Sequence, residues 1–142
     1  AMEWERSFIL APALGAMARQ IDDCVRYARS RTQFAHPIGK NESLASKLVD
    51  MQMRLEVSQL MAYRTAWLKQ TGRRLTREPS QVKLLISESW LQNSLDAIQI
   101  HGGYGFMSEA GIGRDLTAAI ASRIYSGTSE IQRRIIAGFM GL

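Results

Sequence analysis

The sequence predicts an all-α protein, an antiparallel up-and-down four-helix bundle with long helices. Three observations carry that expectation. Apolar residues recur at spacings of three and four through most of the chain, which gathers them on helix faces. Proline and glycine stand where those periodic runs stop. No segment alternates polar and apolar residues as a half-buried strand would, and no internal repeat is present. At 142 residues the chain fits one packing unit, so a single domain over 1–142 is expected.

The first helix is expected over residues 3–31, with Leu10, Leu14, Met17, Ile21, Val25 and Ala28 on one face. Pro12 should kink it or mark its true start. Such a helix would be about 40 Å long and would need equally long partners to bury its stripe. Residues 32–41, with Pro37 and Gly39, read as an irregular connection. A second helix is expected from Glu42 to Thr71, its seam formed by Leu44, Leu48, Met51 and Leu55 and extended by Met61, Trp67 and Leu68. Gly72 stops it, and Pro79 suits the start of the next. A third helix should span Ser80–His101 with Leu84, Leu91, Leu95 and Ile98 as its stripe. The glycines at 102, 103 and 105 read as its end, since no strand precedes them and the dinucleotide-binding spacing is missing. Residues 106–123 should form short helical turns.

The last helix is launched by Gly127-Thr128-Ser129-Glu130. Thr128 is placed to cap the free amides of its first turn, and Gly127 allows close backbone approach. Ile131, Ile135 and Phe139 lie on one side of it.

Composition excludes several function classes. A hydrophobic fraction of 46% with 22% charged residues is that of a folded chain. Charges interrupt every apolar run, so no membrane partner is expected, and no secretory pattern is visible. A cytoplasmic location follows, or the mitochondrial matrix if the source is eukaryotic. The net charge of +5 raises nucleic acid, but the arginines are scattered among acids and no recognition motif accompanies them. Cys24 is the only cysteine and falls at a core spacing; with His36 and His101 far apart, no metal site is expected.

Five separated motifs stand in one order: Arg31-Thr32-Gln33-Phe34 with Pro37-Ile38-Gly39; Leu48-Val49-Asp50-Met51; Gln99 through Gly105; Arg114-Asp115; and Gly127 through Ile131. In this arrangement the chain resembles the C-terminal α-helical domain of the acyl-CoA dehydrogenase family. The resemblance implies that an N-terminal helical domain and a middle β-domain, not contained in this chain, belong to the whole protein. It implies FAD as cofactor, with Arg31 and Phe34 against it, the guanidinium matched to the pyrophosphate, and Gln33 beside them. Ile38, with Asn41 and Glu42, would lie toward the adenosine; Gln99 and Gly103 would lie near a flavin of a neighbouring subunit. Thr128 and Glu130 would also approach the cofactor. A homo-oligomer, dimer or tetramer, is implied, as is an electron-transfer flavoprotein or oxygen as electron acceptor.

Two departures from the family pattern matter. Many members carry their catalytic glutamate just before the Gly-Thr of the last helix, where this chain has Ser126. A serine hydroxyl cannot take the α-proton of an acyl thioester; that needs a carboxylate. A smaller set, the isovaleryl type among them, carries the glutamate on the first helix, followed by arginine. Glu5 with Arg6 occupies that register, so Glu5 is the expected base, with Arg6 an active-site charge and Tyr125 lining the acyl pocket. The second departure is Glu42, where glutamine is usual.

The expected activity is α,β-desaturation of an acyl-CoA or acyl-carrier-protein thioester, with the isolated 142-residue piece inactive. The alternatives are a flavin monooxygenase or oxidase on the same scaffold, or a non-catalytic oligomerisation module.

Overall fold

The computed structural model describes residues 2–142. Helix α1 (Met2–Phe8) leads into α2 (Ala11–Ser30), then a hairpin of β1 (Thr32–Gln33) and β2 (His36–Pro37) with a 3-10 turn at Ile38–Lys40. The long helices α3 (Glu42–Gln70) and α4 (Glu78–His101) follow, then α5 (Gly103–Phe106), a 3-10 turn at Ser108–Ala110, α6 (Arg114–Ser122) and α7 (Ser129–Phe139). The all-α class is observed. α2, α3 and α4 pack on one another, while α1, α6 and α7 all pack on α4 where one shorter helix was expected.

The helix expected over 3–31 is two helices. The break falls at Ile9-Leu10, and Pro12 occupies the first turn of α2, where its missing amide costs no hydrogen bond. The break lets α1 pack on both α3 and α4. The connection expected to be irregular holds a small antiparallel ladder, pairing Thr32 with Pro37 and Gln33 with His36. Phe34 and Ala35 at its tip have φ of 51° and 66°, the two left-handed residues that match a two-residue turn to the twist of its strands. Neither is glycine, so composition does not announce the turn. Asn41 caps α3, its Oδ1 accepting from the amides of Ser43 and Leu44 at 3.0 and 3.4 Å.

The core joins Leu10, Met17, Ile21 and Cys24 to Met51 and Leu55 of α3 and to Val82, Ile86, Trp90, Ala97 and Ile100 of α4. The seams expected on α2 and on α3 from Leu44 to Leu55 are present, and Leu68 extends the latter, but Trp67 is corrected to the outward face. The stripe expected on α4 is corrected: Leu95 is exposed and Leu84 and Leu91 are half-buried, while Val82, Ile86, Asn93 and Ala97 face inward. The reason is that α4 is central and its polar residues find partners inside. Gln20 Nε2 donates to Ser94 Oγ at 2.8 Å, and Arg54 Nη1 donates to Asn93 Oδ1 at 3.0 Å and Asp96 Oδ2 at 2.7 Å. Asn93 Nδ2 donates to the Met51 carbonyl at 3.1 Å. A buried polar group left unpaired would cost about 1–3 kcal/mol, so these contacts are what let α4 sit in the centre.

Cys24 has no exposed surface, and burial, reinforced by Asp23 and Asp96, pushes its thiol up to about 12. It is a core residue. His101 is buried with Nδ1 2.8 Å from the Ala97 carbonyl oxygen, whereas His36 is exposed on the hairpin. Two apolar rows face outward: Val49, Met53, Val57, Leu60, Tyr63 and Trp67 on α3, and Ile131 with Phe139 on α7. α7 docks through its buried Ser129 and Gln132 instead. No helix among the described residues is long and apolar enough to cross a membrane.

Candidate functional site

The predicted site residues gather in two places, at opposite ends of α4. The first is a corner where α1 meets the turn between α6 and α7. Residues Ser126 and Gly127 have φ of 54° and 92°, a consecutive left-handed pair that reverses the chain just before α7. Ser126 Oγ donates to Glu5 Oε1 at 2.5 Å, joining positions 121 residues apart. The short distance is that of a hydroxyl on a carboxylate. Glu5 is otherwise exposed. Arg6 beside it is half-buried, and its Nε has no hydrogen-bond partner among the described residues.

Thr128 caps α7 as expected, its Oγ1 accepting from the Ile131 amide at 3.4 Å. Glu130 follows in the first helical turn. Its own amide and the Thr128 hydroxyl hold its carboxyl below the ordinary range, assisted by Arg123 and Arg133. Tyr125 is partly exposed, and burial of its remainder raises the phenol. Gly127 was expected to let the backbone approach a ligand. What approaches is Gln132, whose Nε2 would lie 2.7 Å from an added Cβ.

Three residues of this corner were not singled out in the sequence. Lys83 on α4 donates to the Gly127 carbonyl at 2.8 Å, and Gln132 Nε2 donates to the same oxygen at 2.9 Å and to the Ser126 carbonyl at 3.2 Å. Glu88 accepts from Ser129 Oγ at 2.6 Å and Arg123 Nε at 2.8 Å. Burial raises the Glu88 carboxyl, but those two hydrogen bonds and the charges of Arg123 and Arg133 outweigh it, leaving the group below its ordinary value. One signal for Lys83 was available: a lysine set inside the apolar run Val82–Ile86.

The second place is the hairpin and the end of α4. Gln33, Phe34, Ile38 and Gln99 line a cavity of about 470 Å³, together with Lys40, Asn41 and Lys47. Arg31 and Gly103 line an adjoining one of about 660 Å³ with Tyr27 and Tyr104. The six cofactor residues expected from these motifs therefore share one location. Phe34 is 95% exposed there, held out on its left-handed backbone. Arg31, Lys40 and Lys47 make no ion pair among the described residues. Asn41 spends its oxygen on the α3 cap, and Glu42 takes the first turn of α3, where the helix dipole favours an acid. From Lys83 to Gln99 α4 rises about 24 Å, so the corner and the hairpin are separate centres within one chain.

The chemistry of the hairpin suits a dinucleotide-like group: free cations for phosphates, an uncommitted aromatic ring for stacking, and amides for hydrogen bonding.

Known proteins match this chain over nearly its whole length. The family described as acyl-CoA dehydrogenase, C-terminal domain, matches residues 1–141. An L-prolyl-[peptidyl-carrier protein] dehydrogenase of Serratia sp. is 41% identical over 141 residues, 99% of this chain and 36% of the relative. The crystal structure of the prolyl acyl carrier protein oxidase AnaB superposes with a TM-score of 0.97 at 50% identity, covering 99% of this chain and 37% of that one. The structure of PigA with FAD and proline gives a TM-score of 0.96 at 40% identity, with coverages of 99% and 37%. The chain thus spans little more than a third of the length of the relatives it matches.

Proposed function

The chain belongs to the acyl-CoA dehydrogenase family as its C-terminal domain, and from that premise we propose that it is the helical part of an FAD-dependent thioester dehydrogenase whose base is Glu5. The observation that carries this reading is the 2.5 Å contact between Ser126 Oγ and Glu5 Oε1. The two positions at which the resemblance puts the base, one on the first helix and one before the last, are neighbours in space. A carboxylate on α1 therefore reaches the place that Ser126 leaves without one.

Glu5 takes the α-proton of the thioester, and Ser126 holds its carboxylate through one oxygen, leaving the other free. Arg6 adds positive charge beside it, and Tyr125 lines the approach. FAD, when bound, supplies the acceptor for the β-hydride. Arg31, Gln33, Phe34, Ile38, Gln99 and Gly103 would hold its nucleotide end, and Thr128 and Glu130 would approach it from the corner. Because one chain keeps these places about 24 Å apart, a complete site draws on more than one copy or on the remaining domains. The outward apolar row on α3 supports a homo-oligomer.

The substrate we assign is an acyl thioester on a carrier protein, a prolyl group first, since the three relatives above carry proline or a prolyl carrier in their names. Acyl-CoA is the second choice. The electrons leave to an electron-transfer flavoprotein or to oxygen. In the full-length protein, Glu5→Gln should slow flavin bleaching by substrate at least about a hundredfold with FAD content unchanged. Bleaching at the wild-type rate would return the chain to the monooxygenase, oxidase or oligomerisation readings.

A further inference from the structure

Lys83 stands in the helical core between Val82 and Leu84 with no exposed surface, yet it forms no ion pair among the described residues. Its Nζ donates to one acceptor, the Gly127 carbonyl at 2.8 Å, and lies 5.9 Å from the centre of the Tyr125 ring. The charged groups around it are Glu88 on its own helix, Arg6 on α1 and Glu130 at the start of α7. Burial pushes the ammonium down from its ordinary value and Arg6 adds to that, while Glu88 and Glu130 oppose it. Taking an ammonium out of water is among the costliest burials a fold can make, and a methionine would fill the same space. Packing does not account for the charge.

The turn it grips does. Ser126 is a non-glycine residue at φ 54°, followed by Gly127 at φ 92°. Such backbone persists only where its surroundings over-determine it. Here the Gly127 carbonyl accepts from both Lys83 and Gln132, the Ser126 carbonyl accepts from Gln132, and Gln132 is itself fully buried. The outcome of that clamp is the Ser126 hydroxyl aimed at Glu5.

We propose that Lys83 is a positioning residue for proton abstraction: by fixing the Gly127 carbonyl it sets the Ser126–Gly127 turn, and through the Ser126 hydroxyl it holds the Glu5 carboxylate in one orientation. This rests on Glu5 being the base. A charged donor suits the task because a charge-assisted hydrogen bond is shorter and stronger than a neutral one. Without the Ser126 donor the Glu5 carboxylate is free to rotate away from the place where the α-proton is taken.

The test uses the full-length flavoprotein and follows flavin reduction by a prolyl thioester of a peptidyl carrier protein across substrate concentration. Lys83→Met and Ser126→Ala should each lower the rate at saturating substrate about tenfold, with KM and FAD content unchanged. The double variant should match either single one, because both changes cut the same chain of contacts. Lys83→Gln, too short to reach the Gly127 carbonyl, gives the same readings should methionine prevent folding. A saturating rate unchanged by either Lys83 variant, a loss confined to KM, or rate losses that multiply in the double variant, overturns the role of Lys83. Flavin reduction that survives in Glu5→Gln instead removes the base itself, and so separates the two failures.

Discussion

At its N-terminal end α4 meets partners from its own chain, Lys83 on the Gly127 carbonyl and Glu88 on Ser129 and Arg123. At its C-terminal end Gln99 and Gly103 face cavities shared with Arg31, Gln33, Phe34 and Lys47. One helix therefore ends in a place where Lys83 and Glu88 are hydrogen-bonded within the chain and in another whose charges stand open. Hydrogen bonds made within the chain fix geometry, as the left-handed turn at 126–127 requires. Open charges leave binding capacity for something outside the chain, and a cluster of free cations with an exposed aromatic is suited to a phosphorylated, ring-bearing group. Substitutions at the corner should therefore cost stability as well as function. Those at the hairpin should cost binding alone.

The largest effect is expected from Gly127→Ala. The new Cβ would need φ 92° and would stand 2.7 Å from Gln132 Nε2, so the turn must strain or release its clamp. Denaturant unfolding of this chain should show a loss of about 2–3 kcal/mol. An unchanged midpoint would mean that the corner is not held as tightly as its hydrogen bonds imply.

Glu88→Gln should cost less, about 1–2 kcal/mol near neutral pH, from weaker hydrogen bonds to Ser129 and Arg123. The folded-state carboxyl lies below its ordinary 4.5, so its contribution is present above that value and is lost as pH falls through the folded value. The gap between wild type and variant should therefore close in acid. A gap that stays constant with pH would show that the charge of Glu88 is not what stabilises α7 against α4.

Much of this layout is legible in the sequence, and what is not has a common cause. Pro12, Gly72 and Pro79 mark helix ends because capping and proline chemistry are local. The faces of α2 and the first part of α3 are legible because each buries one apolar seam. The face of α4 is not, since its inward polar residues are matched by Gln20 and by Arg54 and Met51 on other helices. Periodicity counts apolar residues and cannot see a partner 39 to 74 residues away. The same limit hides Lys83, whose acceptor is a backbone carbonyl and so has no residue type to find. Glu5 was reached only through the family resemblance, and Ser126, read as a lost carboxylate, proves to be a donor to it.

Phe34→Ala is expected to have the smallest effect on stability and the clearest on binding. The ring is 95% exposed and touches no part of the core, so its removal should change the unfolding free energy by no more than about 0.5 kcal/mol. Its backbone is left-handed in either variant, so the turn loses nothing by the change. FAD content of the full-length protein should nonetheless fall, because an aromatic face held out at the mouth of a cationic cavity has stacking as its available interaction. A drop in stability as large as that of Gly127→Ala would make the hairpin tip part of the folding core and erase the contrast between the two ends of α4. Unchanged stability with unchanged FAD content would keep the contrast but move the nucleotide elsewhere, away from Arg31 and Gln99 and toward Thr128 and Glu130.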